Sequence, residues 1–209
     1  RLRLRLLDEQ FAVIGAGQAG APLATKVRAP GHAGTITPIG SEPVAPYQRP
    51  PLSKGYLLGE MGLDRLMLRG PEFWADQNIG LRTGLPVTSI DPATRTLRAG
   101  SETLAYDQLA LTTGARPRRL PAAVGGDPAG VYAVRTLADV DAMAAEFRPG
   151  RRLLVVGGGY IGLEAAAVAS KLGLAVTLVE AAPRILQRVA SPETAAHLRA
   201  LHLAHGVRI

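Results

Sequence analysis

The sequence predicts an α/β protein with two Rossmann-like domains, because one strand–turn–helix pattern occurs twice. The first copy starts with the apolar run Phe11–Ile14 and the second with Leu153–Val156. In each copy a glycine-rich turn follows, and then an alanine-rich stretch with helical character. This arrangement is typical of the first half of a βαβ unit. The chain has 209 residues, which is long enough for two domains that each have their own core.

The glycine turns predict two dinucleotide sites. The first glycine of such a turn permits a tight bend, the second lets a pyrophosphate approach the backbone, and the third lets helix and strand pack closely. The turns contain Gly15, Gly17 and Gly20 in the first copy, and Gly157, Gly159 and Gly162 in the second. A single copy is modest evidence, but two copies in one chain favour two bound dinucleotides.

An acidic residue follows the next predicted strand in each copy. The extended run 34–39 precedes Glu42, and Ala175–Val179 ends directly at Glu180. A carboxylate at the second position accepts hydrogen bonds from ribose hydroxyls and repels a 2′-phosphate, so it favours NADH over NADPH. Arg184 lies nearby and would weaken this preference. The alternative is that Glu180 is a solvated charge at the end of a strand.

The other elements are less regular. Pro38 weakens the prediction of a strand at 34–39, because proline lacks the N–H that a central strand needs. Thr136 and Asp139 predict a capping box at the start of a helix that runs to Phe147. Further predicted elements are a helix near 71–78, strands around 87–90, 96–98 and 109–112, a helix over 163–172, a helix over 193–205, and a strand starting at 206–209. We predict domains over 1–115 and 116–209, the second incomplete.

Composition excludes several classes of protein. The chain has no cysteine, which excludes a disulfide relay, a cysteine nucleophile and thiolate-bound metal within these residues. No apolar stretch approaches the roughly 18 residues of a membrane span. Residues 1–6 lack the apolar core of a signal peptide, so we expect a cytoplasmic protein. The spacing of His197, His202 and His205 does not place them on one helix face, so we expect no metal site.

The net charge of +7 suggests an anionic partner. The arginines are scattered and are not interleaved with aromatic residues, so nucleic acid is not the expected partner. An acidic protein fits this charge better.

The run Tyr-Gln-Arg-Pro-Pro-Leu-Ser-Lys at 47–54 resembles the FAD-dependent NADH:ferredoxin reductases, the family that includes the reductases of putidaredoxin, rubredoxin and biphenyl-dioxygenase ferredoxin. The stretches 113–118, 134–137 and 157–164 resemble the same family, in the same order. The apoptosis-inducing factors are similar too, but the Arg-Pro-Pro-Leu-Ser-Lys run favours the bacterial reductases. The resemblance implies a glutathione-reductase-like FAD/NAD(P)-binding fold. Family chains are roughly twice this length, so we expect a truncated chain.

The resemblance also implies a role for individual residues. The FAD site would comprise Gly15, Gly17, Gly20, Glu42, Arg49, Pro50, Lys54, Val87, Thr113, Gly114, Arg116 and Arg135. The NADH site would comprise Gly157, Gly159, Tyr160, Ile161, Gly162 and Glu180. Lys54 would pair with Glu164 beside the reacting edge of the flavin, as the catalytic residues.

The Lys54–Glu164 pair has a physical rationale of its own. Hydride arrival builds negative charge on the flavin, which a nearby ammonium group stabilises. Glu164 would neutralise this lysine in the resting state. The alternative is that Lys54 is a loop residue at the surface and Glu164 a charge in the first turns of a helix.

The implied function is electron transfer from NADH through FAD to an acidic [2Fe-2S] ferredoxin or a rubredoxin, which would supply an oxygenase system. One alternative is an NADH oxidoreductase similar to the apoptosis-inducing factors. Another is a nucleotide-binding fragment without catalytic activity. The sequence leaves open which ferredoxin is reduced and which oligomeric state the protein adopts.

Overall fold

The computed structural model describes residues 8–125 and 128–209 and confirms the predicted α/β class. Its strands are β1 (Phe11–Ile14), β2 (Ile36–Ile39), β3 (Val87–Asp91), β4 (Thr96–Ala99), β5 (Glu102–Ala105), β6 (Gln108–Leu111), β7 (Arg152–Val156) and β8 (Ala175–Val179). Its α-helices are α1 (Gly20–Arg28), α2 (Leu63–Leu66), α3 (Phe73–Asp76), α4 (Leu137–Ala144), α5 (Tyr160–Lys171) and α6 (Pro192–Ala204). Short 3-10 helices cover Pro50–Ser53 and Ala122–Val124. The expectation about residues 1–6 lies outside the described residues.

The chain divides into two compact units. The first comprises the residues up to Gln48 together with Leu63–Arg116, and the second comprises Arg49–Gly62 and Pro117–Ile209. The segment Arg49–Gly62 therefore packs with the second half of the chain, although it lies in the first half of the sequence. The division into an FAD domain and an NADH domain stays a prediction.

The first unit contains two sheets. The parallel sheet has the order β2-β1-β6, and the antiparallel sheet has the order β3-β4-β5. Apolar residues of both sheets form one buried cluster, made of Ala12, Ile14, Ile39, Leu97, Ala99 and Tyr106. A second cluster joins α1 to Ile36, Trp74 and Ile79. The parallel strands thus place the turn after β1 at the carboxyl edge of the sheet, where ligands bind in this type of fold.

Pro38 lies inside β2, although a proline weakens the prediction of a strand at this position. Val13 of β1 is its register partner. The carbonyl of Pro38 accepts a hydrogen bond from the Arg82 N–H, at 2.8 Å. Because the N–H and C=O of one strand residue point the same way, the missing N–H of Pro38 faces the segment around Arg82 and not β1. The ladder to β1 is therefore intact.

Strand β5 is missing from the sequence prediction. Its residues Glu102–Ala105 include exposed polar side chains and show no continuous apolar run. Gly100, with φ of 58°, makes the turn that folds β5 back onto β4. The pairing with β4, and not the composition of the segment, makes this segment a strand.

The second unit is built on the parallel pair β7-β8. Helices α5 and α6 contribute to one buried cluster with β8, which includes Leu163, Ala166, Val176, Leu178 and Ala195. The predicted strand at 206–209 is reduced to a single parallel bridge between Arg208 and Thr177. No helix among the described residues is long and apolar enough to cross a membrane. The cytoplasmic location stays a prediction.

The predicted capping box is confirmed. The Thr136 side chain accepts a hydrogen bond from the Asp139 N–H at 3.1 Å, and the Asp139 carboxylate accepts one from the Thr136 N–H at 2.8 Å. The helix that follows, α4, ends at Ala144 and is thus shorter than expected. The helix predicted near 71–78 is also shorter, because Asn78 takes a left-handed conformation with φ of 50°.

Candidate functional site

The first glycine turn connects β1 to α1. A Cβ at Gly15 would lie 2.1 Å from the Thr112 carbonyl oxygen, and a Cβ at Gly20 would lie 1.9 Å from the Gly15 carbonyl oxygen. Both glycines are therefore required by the packing of the protein itself. Gly17 differs, because no described atom beyond its chain neighbours lies within 4 Å of the position of its Cβ. The protein leaves open space at this glycine, which a close-lying ligand would use.

Thr112 closes this turn from the end of β6. Its hydroxyl lies 2.7 Å from the Gly15 carbonyl oxygen and 3.1 Å from that of Ile14. Thr112 is not among the predicted site residues, although it lies directly before the predicted residues Thr113 and Gly114, which is a usable signal. Thr113, Gly114 and Arg116 follow it in an exposed stretch, in which Gly114 has φ of 71°.

Glu42 lies on the loop after β2, as the sequence predicts. Its carboxylate accepts a hydrogen bond of 2.6 Å from the buried Tyr47 hydroxyl. Val87, the other residue predicted at the adenosine end, begins β3 and is half-buried.

The second glycine turn connects β7 to α5 and repeats the geometry of the first. A Cβ at Gly162 would lie 2.1 Å from the Gly157 carbonyl oxygen, and Gly157 has φ of 107°. At Gly159 no described atom beyond the chain neighbours lies within 4 Å of a Cβ. Tyr160 and Ile161 are exposed in the first turn of α5. The open middle glycine is thus common to both turns.

The helices behind these turns differ from the other long helices at their N-termini. Among the described residues, no side chain caps the N-terminus of α1 or α5. In contrast, Thr136 caps α4 and Ser191 caps α6. Uncapped N–H groups at a helix N-terminus attract anions such as a pyrophosphate. Both turns therefore fit a dinucleotide, by their open glycine and by their uncapped helix.

Glu180 is held at the end of β8 by backbone N–H groups. Its two carboxylate oxygens accept hydrogen bonds from Ala182 at 2.8 Å and from Gly158 at 2.7 Å. These two hydrogen bonds lower the pKa of Glu180. The side chain is therefore ionised and oriented beside the second glycine turn. Gly158 is not among the predicted site residues; a Cβ at this position would lie 2.6 Å from the Ile185 side chain.

Lys54 and Glu164 form the predicted ion pair, with 2.7 Å between Nζ and Oε2. The Lys54 side chain is half exposed, and Nζ also donates to the Pro50 carbonyl at 3.1 Å. The neighbouring residue Ser53 is buried. Its hydroxyl donates a hydrogen bond of 2.5 Å to the same Oε2 of Glu164. Two consecutive residues thus converge on one carboxylate oxygen. Ser53 is not among the predicted site residues.

Other polar contacts hold the segment Arg49–Gly62 within the second unit. The Arg49 guanidinium donates to the Arg135 carbonyl at 2.7 Å, which brings together two of the predicted residues. The Tyr56 hydroxyl donates to Asp141 at 2.7 Å, and this hydrogen bond, with burial, raises the pKa of Tyr56 to about 12. These contacts fix the loop that carries Lys54.

The chain is similar to known proteins over nearly its whole length. Residues 9–209 match the family model described as pyridine nucleotide-disulphide oxidoreductase. A ferredoxin–NAD(P)+ reductase from Sphingomonas sp. is 44% identical over 198 residues, which are 94% of this chain and 48% of that protein. Putidaredoxin reductase from Pseudomonas putida is 40% identical over 205 residues, which are 97% of this chain and 49% of that protein.

A crystal structure of the covalent putidaredoxin reductase–putidaredoxin complex matches with a TM-score of 0.92 and 41% identity, covering 96% of this chain and 49% of that chain. The chain thus spans about half the length of the curated relatives it matches. The resemblance seen in the sequence motifs is confirmed.

Proposed function

Because the chain belongs to the pyridine nucleotide-disulphide oxidoreductase family, we propose that this protein is an NADH-dependent flavoprotein reductase whose electron acceptor is a small iron–sulfur protein. FAD and NAD(H) are the cofactors of this family. The observation that carries the proposal is the pair of glycine turns, each with an open middle glycine and an uncapped helix.

The two turns have separate roles in this proposal. Gly15, Gly17 and Gly20 would hold the FAD pyrophosphate, and Glu42 would accept hydrogen bonds from the hydroxyls of the adenosine ribose. The second turn would hold NADH, where Glu180 would accept hydrogen bonds from its ribose hydroxyls and disfavour a 2′-phosphate. Residues 1–115 and 116–209 supply the FAD and NADH parts, respectively. The remaining FAD contacts are those implied by the resemblance, namely Arg49, Pro50, Val87, Thr113, Gly114, Arg116 and Arg135.

Lys54 and Glu164 perform the electrostatic part of the reaction. When bound, FAD supplies the redox chemistry, in which it takes a hydride from NADH and releases electrons singly. The Lys54 ammonium group stabilises the negative charge that hydride arrival creates. In the resting state, Glu164 balances the positive charge of Lys54 and orients its ammonium group. The Pro50 carbonyl accepts a second hydrogen bond from Nζ.

Within these residues, the lack of cysteine favours an electron acceptor other than a disulfide. Disulfide reductases of this family need a thiol beside the flavin, and none of the 209 residues is a cysteine. The net charge of +7 would steer an acidic [2Fe-2S] ferredoxin or a rubredoxin towards the protein. Supply of electrons to an oxygenase system is the corresponding role.

The visible spectrum of the purified protein tests the proposal. We expect flavin absorbance that NADH bleaches, followed by reduction of an acidic ferredoxin whose rate falls as salt is added. Bleaching without reduction of any ferredoxin would favour the alternative similar to the apoptosis-inducing factors. A protein without flavin absorbance and without NADH-dependent dye reduction would favour the non-catalytic alternative.

A further inference from the structure

We propose that Tyr47 is a positioning residue of the FAD site, whose hydroxyl fixes the Glu42 carboxylate in the orientation that receives the adenosine ribose. This inference rests on the proposed role of Glu42. It adds a residue to those that the sequence predicts for the FAD site.

The backbone around Glu42 is held in place by the segment 82–85. The Gly40 N–H donates to the Arg82 carbonyl at 2.8 Å, and the Glu42 carbonyl accepts from the Gly84 N–H at 2.8 Å. A glutamate side chain nevertheless has several rotatable bonds, and fixing them costs up to about 2 kcal/mol of conformational entropy. A fixed backbone therefore does not by itself orient the carboxylate.

Tyr47 supplies a restraint on the carboxylate itself, because the backbone on each side of Tyr47 is held by hydrogen bonds. It forms an antiparallel bridge with Met67, and the flanking hydrogen bonds join Gln48 to Leu66 at 2.9 Å and Leu68 to Pro46 at 2.9 Å. Tyr47 is only 4% exposed. Its hydroxyl thus has a single well-defined location, 2.6 Å from Oε2 of Glu42.

The hydrogen bond leaves Glu42 able to bind a ligand. An ionised carboxylate accepts about four hydrogen bonds, and the bond from the Tyr47 phenol takes up only one of these positions. A hydrogen bond to a charged acceptor is stronger than one between neutral groups. The carboxylate is thus ordered before the cofactor arrives, which lowers the entropic cost of binding.

Flavin affinity measured on the apoprotein tests this inference. FMN is the matched ligand, because it contains the flavin but no adenosine ribose. We expect Y47F to weaken FAD by about fivefold, the value for one hydrogen bond of about 1 kcal/mol, and to leave FMN affinity unchanged. We expect the double variant E42Q/Y47F to bind FAD no more weakly than E42Q alone. E42D, which keeps the charge but shortens the side chain away from Tyr47, should resemble Y47F.

Several outcomes would overturn the inference. If E42Q weakens FAD binding but Y47F and E42D do not, the Tyr47 role is wrong while the proposed Glu42 site stands. If Y47F weakens FAD and FMN equally, Tyr47 has only a structural role. If E42Q leaves FAD affinity unchanged, the Glu42 assignment itself fails, and the Tyr47 role fails with it.

Discussion

Ser53 donates its hydroxyl to Oε2 of Glu164, the oxygen that also binds the Lys54 ammonium group. Ser53 therefore restrains the carboxylate from a second direction. We expect S53A to slow flavin reduction by NADH about fivefold, because one hydrogen bond of about 1 kcal/mol is lost. Stopped-flow absorbance measures this rate. S53T keeps the hydroxyl and is the control; an equally slow S53T would point to packing and not to the hydrogen bond.

Replacing Lys54 has a larger expected effect. K54M removes the ammonium group but keeps a long apolar side chain, so negative charge on the flavin is no longer stabilised. We expect flavin reduction by NADH to slow by about 100- to 1000-fold, the range for loss of one preorganised electrostatic contact in a transition state. The midpoint potential of the flavin should fall as well. An unchanged rate would refute the assigned role of Lys54.

The open glycines predict variants that fold but bind poorly. A Cβ at Gly159 meets no described atom beyond its chain neighbours, so G159A should keep the melting temperature of the natural protein. The same methyl group should obstruct the pyrophosphate and raise the Kd of NADH about tenfold, or about 1.4 kcal/mol. G17A should do the same to FAD. Scanning calorimetry measures the melting temperature, and titration calorimetry measures the Kd. As a contrast, G162A should lose stability, because its Cβ would lie 2.1 Å from the Gly157 carbonyl oxygen.

Glu180 predicts a pH dependence of stability. The N–H groups of Ala182 and Gly158 lower its pKa below the ordinary value of 4.5. A lowered pKa stabilises the folded state above the unfolded pKa, and this stabilisation is lost as the pH falls through the folded pKa. We therefore expect E180Q to be less stable than the natural protein at pH 7, with the difference shrinking below about pH 4.5. Thermal melts between pH 3 and 7 measure it; a pH-independent difference would contradict the prediction.

The capping box predicts a local loss of stability. T136A removes the side-chain acceptor for the Asp139 N–H, and we expect it to cost about 1 kcal/mol of unfolding free energy. Urea denaturation measures this loss. T136S keeps the hydroxyl and should lose much less than T136A.

The sequence predicts a feature correctly where the residues that define it lie close together in the chain. The glycine turns and the Thr136–Asp139 box were predictable, because each depends on residues close together in the chain. Tyr47 and Ser53 were missed, because a hydroxyl gives no sign in the sequence of the carboxylate it will meet. Strand β5 was missed for a similar reason, since its pairing with β4 and not its own composition defines it. The Lys54–Glu164 pair was found only through the family motif.

Pro38 has a consequence for how the parallel sheet of the first unit can grow. The edge of β2 that faces away from β1 lacks a hydrogen-bond donor at Pro38. The segment around Arg82 already pairs with this edge. On the opposite side, β6 pairs with β1 and with no other strand among the described residues. A further strand can therefore pair directly with β6 but not with β2.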